Sequence, residues 1–208
     1  MMTKQTRKQP SFIEEARRRQ IIEAAIRTIA RRGMVHTTLE DIANEIEVSK
    51  GVILYHFKNK AELIAEVINH LISEQRSHRQ ARLAAMETPL ERLHEYIRAD
   101  MDFYLNNRPS MICWWELFTF YKSPEEKALL ESRLYDVPRE TLVRIIRDGQ
   151  AEGVFRQEID PLTAATLVEG AIEGVMIQWV FDETQVDLHN CGEELISLLE
   201  ARYLAPAG

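Results

Sequence analysis

Lys50, Tyr55 and His56 fall on one short segment of the chain. An ammonium, a phenol and an imidazole so placed can donate to base edges and to phosphate oxygens. Shortly after them Lys60 opens a further helix, where a cation is unfavourable for the helix dipole unless an anion lies close by. A nucleic-acid phosphate supplies that anion. Such groups need elements to aim them. The run Thr37-Thr38-Leu39-Glu40-Asp41-Ile42-Ala43, then Val48-Ser49-Lys50-Gly51 and Tyr55-His56-Phe57-Lys58-Asn59-Lys60, reads as two short helices around a tight turn. This is a helix-turn-helix pattern, whose second helix is short enough to lie in a DNA major groove. Thr37 is placed to cap the first helix, with Glu40 completing a capping box, and Ser49 to cap the second. Ile42, Ala43 and Ile46 give the first helix one apolar side.

The stretch from Arg18 to Lys60 resembles the N-terminal DNA-binding domain of TetR-family transcriptional regulators. The likeness rests on Ile21-Ile22-Glu23-Ala24-Ala25, Gly33, the paired threonines, Asp41-Ile42-Ala43, Val48-Ser49-Lys50-Gly51, and His56-Phe57 with Lys60 and Leu63. Arg17-Arg18-Arg19-Gln20 and Gly33-Met34 look most like the betaine-regulator branch. The resemblance implies that Lys50, Tyr55 and His56 face the major groove beside Gly51, while Thr38 and Lys60 hold phosphates. Two residues depart from the family pattern. Glu47 stands where a glycine usually makes the turn, and a left-handed backbone there costs a non-glycine residue about 1–2 kcal/mol, which leaves a reshaped turn open. Leu54 stands where many members carry a tyrosine that touches the DNA backbone.

The 208-residue chain has a net charge of −7, which by itself argues against a nucleic-acid partner. Its distribution reverses that. Residues 1–60 hold twelve Lys/Arg against seven Asp/Glu, a net of +5, and the remainder holds a net of −12. A basic head on an acidic body docks one end on phosphates and keeps the other off them. Residues 1–9 read as a flexible basic arm without the apolar stretch of a secretory signal, which suits a cytoplasmic protein. Cys113 and Cys191 are far apart, and no His or Cys spacing suggests a metal site.

The remaining pattern is helical throughout, and an all-α fold follows. A helix-turn-helix domain over 12–60, with its motif at about 38–57, precedes a helical body over 61–204. The first helix runs from about Phe12 to Arg32 and stops at Gly33. A long helix follows Lys60. Thr88-Pro89, Ser123-Pro124 and Asp160-Pro161 each set a cap before a proline at a helix start, with Glu91 and Glu126 as capping-box partners. Pro138 kinks or divides the helix that follows Ser123.

Two features of the body need a function. Phe103, Tyr104, Trp114, Trp115, Phe118, Phe120 and Tyr121, beside Met101 and Met111, form an aromatic cluster, either plain core or the wall of a small-molecule cavity. Successive residues on a helix point about 100° apart, so at most one of Trp114 and Trp115 faces a given cavity. The family resemblance favours an effector cavity beside Phe103, Trp114, Phe118 and Met176, for an apolar or cationic molecule. Its betaine branch suggests a cation–π cage. The second feature is the pair of helices over 161–181 and 188–203. The first is apolar on nearly all sides, with Ala164, Ala165, Gly170, Ala171 and Gly174 allowing close approach. The second carries Leu188, Cys191, Leu195, Leu198 and Leu199. A symmetric homodimer through both covers what one body leaves bare. Glu169 and Glu173 near the middle of the first make a membrane span improbable.

An enzyme is disfavoured: no Gly-rich phosphate loop, nucleophile elbow or metal spacing is present, so no catalytic residue and no cofactor is expected. A helical adaptor, or a regulator without a ligand, leaves less of the pattern explained. The sequence predicts a homodimeric repressor that binds a palindromic operator and answers to a small effector.

Overall fold

The computed structural model describes residues 12–120 and 124–206, without the side chains of 124–137. The basic arm at 1–9, Tyr121, the Ser123 cap and the Glu126 capping box lie outside the described residues. Among them the chain forms nine α-helices in succession. They are α1 (Phe12–Arg32), α2 (Leu39–Glu45), α3 (Lys50–His56), α4 (Lys60–Leu83), α5 (Pro89–Asn106), α6 (Arg108–Phe120), α7 (Pro124–Ala151), α8 (Pro161–Phe181) and α9 (Leu188–Tyr203). The only pairing of extended backbone among the described residues is an isolated antiparallel bridge between Phe155 and Leu204. The helices fall into two compact units that divide between His70 and Leu71, so α4 supplies residues to both.

In the first unit α1, α2 and α3 pack on one another. Helices of seven residues are marginal alone, so α2 and α3 persist by burying an apolar side. Ile21, Ala25 and Ile29 of α1, Ile42 and Ala43 of α2 and Ile53 of α3 supply it, all but wholly buried. Full burial of one such Ile is worth about 1.5–3 kcal/mol. Gly33 ends α1 with a φ of 80°, its amide donating to the Ile29 carbonyl at 2.8 Å.

The α2 cap lies one residue later than the sequence suggested. Thr37 is nearly fully buried, and its hydroxyl donates to the Gly33 carbonyl at 2.8 Å, so it is not available as a cap. Thr38 takes the position instead. Its oxygen accepts from the Asp41 amide at 3.1 Å, and the Asp41 carboxylate accepts from the Thr38 amide at 2.9 Å. Asp41, not Glu40, is therefore the capping-box partner. Those hydrogen bonds hold the Asp41 carboxyl below its ordinary value. Ser49 occupies the N-cap position of α3 without a side-chain hydrogen bond, and its carbonyl accepts from the Val52 amide at 2.9 Å. The turn between them is not reshaped: Glu47 takes the left-handed conformation itself, with φ 54°.

In the second unit α5 packs against α6, α7, α8 and α9, and α8 packs against α5, α6, α7 and α9. Thr88 and Glu91 form the expected capping box at Pro89, and Asp160 accepts from the Leu162 and Thr163 amides ahead of α8. Pro138 does not divide α7, which runs through it as one helix. Gly149 of α7 lies so close to the Phe155 ring that a Cβ there would sit 2.1 Å from it. By length and composition α8 could cross a bilayer, yet Glu169 on it is buried against protein.

Candidate functional site

The underside of α3 is anchored and its upper side is bare. Ile53 and Phe57 are buried beneath it. Arg18 of α1 locks its C-terminal end: the guanidinium donates to the His56 carbonyl and lies over the Phe57 ring, 4.3 Å from the centroid. Lys50, Gly51 and Leu54 are left exposed, and Tyr55 is 75% exposed, far more than a ring of that size needs to be. The Tyr55 and His56 rings meet edge to face at 5.0 Å. Burial, and then the charge of Arg18, lower the His56 pKa below its ordinary 6.5. A neutral imidazole has one donor and one acceptor for base edges. Sequence reasoning missed Arg18 as the clamp; its place in the basic run was visible, its partner was not.

Lys60 and Thr38 carry more structure than expected. The Lys60 ammonium donates to the carbonyls of Met34 at 3.2 Å and of Thr37. Two of its three donors are thus engaged, and it ties the start of α4 to the α1–α2 connection. Burial lowers its pKa, with Asp41 opposing. Carbonyl oxygens supply the negative end that the sequence assigned to phosphate, leaving one N–H for it. The Thr38 hydroxyl proton is likewise engaged, 2.6 Å from the Asp41 carboxylate, so a phosphate contact there competes with the cap.

In the second unit a cavity of about 40 Å³ lies among α4, α5, α6, α7 and α8. Trp114 and Met176 line it, as anticipated. Phe103 and Phe118 do not. Phe103 is buried in the core with its ring 5.6 Å from that of His78, and Phe118 is 42% exposed beside Trp115. Trp115 turns away from the cavity, towards Phe118 at 6.3 Å and Phe181 at 5.9 Å, as the 100° step requires. A wider groove of about 450 Å³ along Arg139, Arg144, Arg147 and Leu162 shares no residue with this cavity.

The cavity also has a polar wall, which sequence reasoning did not identify. Arg79 and Asp100, both buried, form two hydrogen bonds of 2.9 and 2.6 Å, and the guanidinium lies 4.2 Å from the Tyr96 ring centroid. The Tyr96 hydroxyl donates to Glu169 and lies 3.5 Å from the Pro138 carbonyl. Gln75 donates to the Tyr104 hydroxyl at 3.2 Å. Glu173, four residues from Glu169 on the same face of α8, completes the lining. Burial pushes the Glu169 carboxyl up to about 7 against the pull of Arg79; Asp100 and Glu173 add to the rise, and the Tyr96 hydrogen bond opposes it. Buried carboxylates were visible in the sequence only as interruptions of an apolar helix. No group of three or more His, Cys, Asp or Glu arranged for a metal occurs among the described residues.

Helices α8 and α9 divide differently from the stripe read in sequence. Leu188 and Leu199 turn inward with Ala164 and Ala165, whereas Leu167 and Leu198 are 63% and 60% exposed. Among the described residues, and apart from its own helix backbone and chain neighbours, no atom lies within 4 Å of where a Cβ would sit at Gly170 or Gly174.

Two family descriptions match the chain: "Bacterial regulatory proteins, tetR family" over residues 21–67 and "YsiA-like protein, C-terminal region" over residues 135–201. The HTH-type transcriptional regulator BetI of Brucella anthropi is 34% identical over 109 residues, which span 52% of this chain and 55% of that protein. A probable acrEF/envCD operon repressor of Escherichia coli K12 is 24% identical over 86% of this chain and 83% of its own length. Among solved structures, a putative transcriptional regulator from Saccharomonospora viridis in complex with choline superposes with a TM-score of 0.82 at 27% identity, over 92% of this chain and 99% of that one.

Proposed function

Since the chain belongs to the TetR family of bacterial regulatory proteins, we propose that it is a cytoplasmic homodimeric repressor that docks α3 on a palindromic operator and leaves it when a small apolar or cationic effector binds. The observation that carries this reading is the short helix α3, buried beneath and clamped by Arg18, with Lys50 and Tyr55 bare on its outer side. Lys50, Tyr55 and His56 read base edges beside Gly51. Thr38 and Lys60 meet phosphates with what their internal hydrogen bonds leave free. The bare Leu167 and Leu198, with the open glycines 170 and 174, form the two-fold contact of α8 and α9. Recognition helices then sit about one DNA turn apart, roughly 34–36 Å. The effector reading draws on the choline-bound relative and on a cavity that Trp114, Met176 and three residues of α4, Leu71, Gln75 and Arg79, line.

A gel shift on DNA upstream of the protein's own gene, over a salt series, tests this. Lys50→Ala should change the preference among operator sequences. Lys60→Ala should weaken binding to all DNA and lower the salt slope by about one. An affinity loss with the slope intact would reduce Lys60 to its tie with Met34 and Thr37. Binding indifferent to sequence, or a monomer by ultracentrifugation at micromolar concentration, would refute the proposal.

A further inference from the structure

We infer that Arg18 sets the roll of α3 on DNA, as a positioning residue for sequence discrimination rather than a phosphate contact. The inference rests on the reading of α3 given above and deepens it. Three observations carry it. First, one guanidinium holds two consecutive residues where α3 ends. It donates to the His56 carbonyl and lies over the Phe57 ring, 4.3 Å from the centroid. Phe57 is itself buried, in extended backbone, with its amide returning to the Ile53 carbonyl at 2.8 Å. The last carbonyls of a helix lack partners within it, so an outside donor at His56 fixes where the final turn points. A planar guanidinium can stack and donate at once, which an ammonium cannot. Second, the other end of α3 lacks such a tie. Ser49 makes no side-chain hydrogen bond at the N-cap, and a helix of seven residues is marginal by itself. Third, Arg17 and Arg19 are exposed, whereas Arg18 between them is half-buried. Arg17 donates to Gln20 of its own helix at 2.7 Å, so of the two Arg18 is the one turned on α3.

Helix dimensions set the scale of the effect. Side-chain atoms reach about 5–6 Å from the axis of a helix, so a roll of about 20° carries them through about 2 Å. Good hydrogen-bond lengths span only about half an ångström. Tyr55 and His56, whose rings meet edge to face at 5.0 Å, would swing together off their base edges. Attraction to phosphates depends on charge and little on roll, so affinity for arbitrary DNA survives. Arg18 thus acts on which sequence is bound, and Lys60 on how strongly any DNA is held.

The test uses the full chain and the duplex that the wild type selects from random-sequence DNA, with a scrambled duplex as reference. Arg18→Gln should lower the ratio of the two affinities about 5–150-fold, the cost of one misread base pair. Its salt slope should stay within about half a unit of the wild type, since one lost phosphate contact removes about one. Arg18→Lys keeps the charge and a donor but not the flat face, so it should recover part of the ratio. That variant also carries the test if Arg18→Gln does not fold. Arg19→Gln removes the same charge one residue along and should keep the ratio. An NMR titration of the His56 ring adds a signature that general destabilisation does not move. Burial and then Arg18 lower its pKa, Arg17 adds to this and Glu14 opposes, so Arg18→Gln should raise the midpoint towards 6.5 and Arg18→Lys should raise it less. An unchanged ratio in Arg18→Gln, an equal loss in Arg19→Gln, a slope lower by a full unit, or an unmoved His56 midpoint overturns the inference. A wild type that selects no sequence defeats the repressor reading as well, whereas selection with an unchanged ratio defeats the positioning role alone.

Discussion

Replacing Glu169 by Gln should change how stability depends on pH, and the size of the effect follows from its surroundings. Glu169 is 7% exposed, and its carboxyl is raised by burial from 4.5 to about 7 in the folded chain. A carboxyl with a raised folded value binds its proton more tightly in the fold than in the unfolded chain. Stability from this group is thus full below about 4.5 and is lost as pH rises towards 7. The difference is about 2.5 pH units at roughly 1.4 kcal/mol each, or about 3 kcal/mol in total. Between pH 5 and 8 most of it, roughly 2–3 kcal/mol, should disappear from the wild type. Gln keeps the shape and cannot ionise, so the variant should lack this component while every other titrating group stays the same. Urea melts of both proteins at pH 5, 6, 7 and 8, followed by tryptophan fluorescence, yield the difference directly. Parallel pH profiles for the two proteins would mean that Glu169 is already ionised and solvated in the fold, and the burial argument would fail.

Two further substitutions probe the backbone and the core. Glu47→Gly should raise the stability of the first unit by roughly 0.5–1 kcal/mol, because relief of the left-handed strain at φ 54° exceeds glycine's greater entropy loss; a lower denaturation midpoint would show that the Glu47 side chain matters more than its φ. Gly149→Ala should cost about 1–3 kcal/mol, since the new Cβ meets the buried Phe155 ring at 2.1 Å and forces it aside. An unchanged melting temperature would mean that Phe155 has room to move.

Most of the fold was legible in local chemistry. Helix starts announced themselves where a cap and a proline coincide, as at Thr88-Pro89 and Asp160-Pro161. Gly33 marked the end of α1 because a φ of 80° suits glycine. Local chemistry also misled by one residue at α2. Thr37 and Thr38 are equal as caps, and only tertiary burial of Thr37 against Gly33 decides between them. The exposed side of α3 proposed for recognition was legible as residue types on a short helix, but the clamp of Arg18 on His56 joins residues 38 apart in sequence. In the body the aromatic cluster was visible as composition, while its division was not. Phe103 goes to the core, Trp114 to the cavity, and Phe118 to the surface, because helical phase and the packing of α5, α6 and α8 decide jointly. The polar wall was least legible, since Arg79, Asp100 and Glu169 come from three helices: the first two each read alone as an ordinary surface charge, and Glu169 only as an interruption of an apolar helix.

The pairing of Arg79 with Asp100 has a consequence for how this chain can drift. Loss of either partner alone strands a buried charge and costs about 3–5 kcal/mol, a large part of a domain's total stability. Exchange of both for well-packed apolar side chains is often neutral or stabilising. The two positions therefore sit on opposite banks of a valley that single replacements cross only at a heavy loss. Laboratory evolution for altered effector response should leave both untouched, unless the starting protein has first been given surplus stability elsewhere.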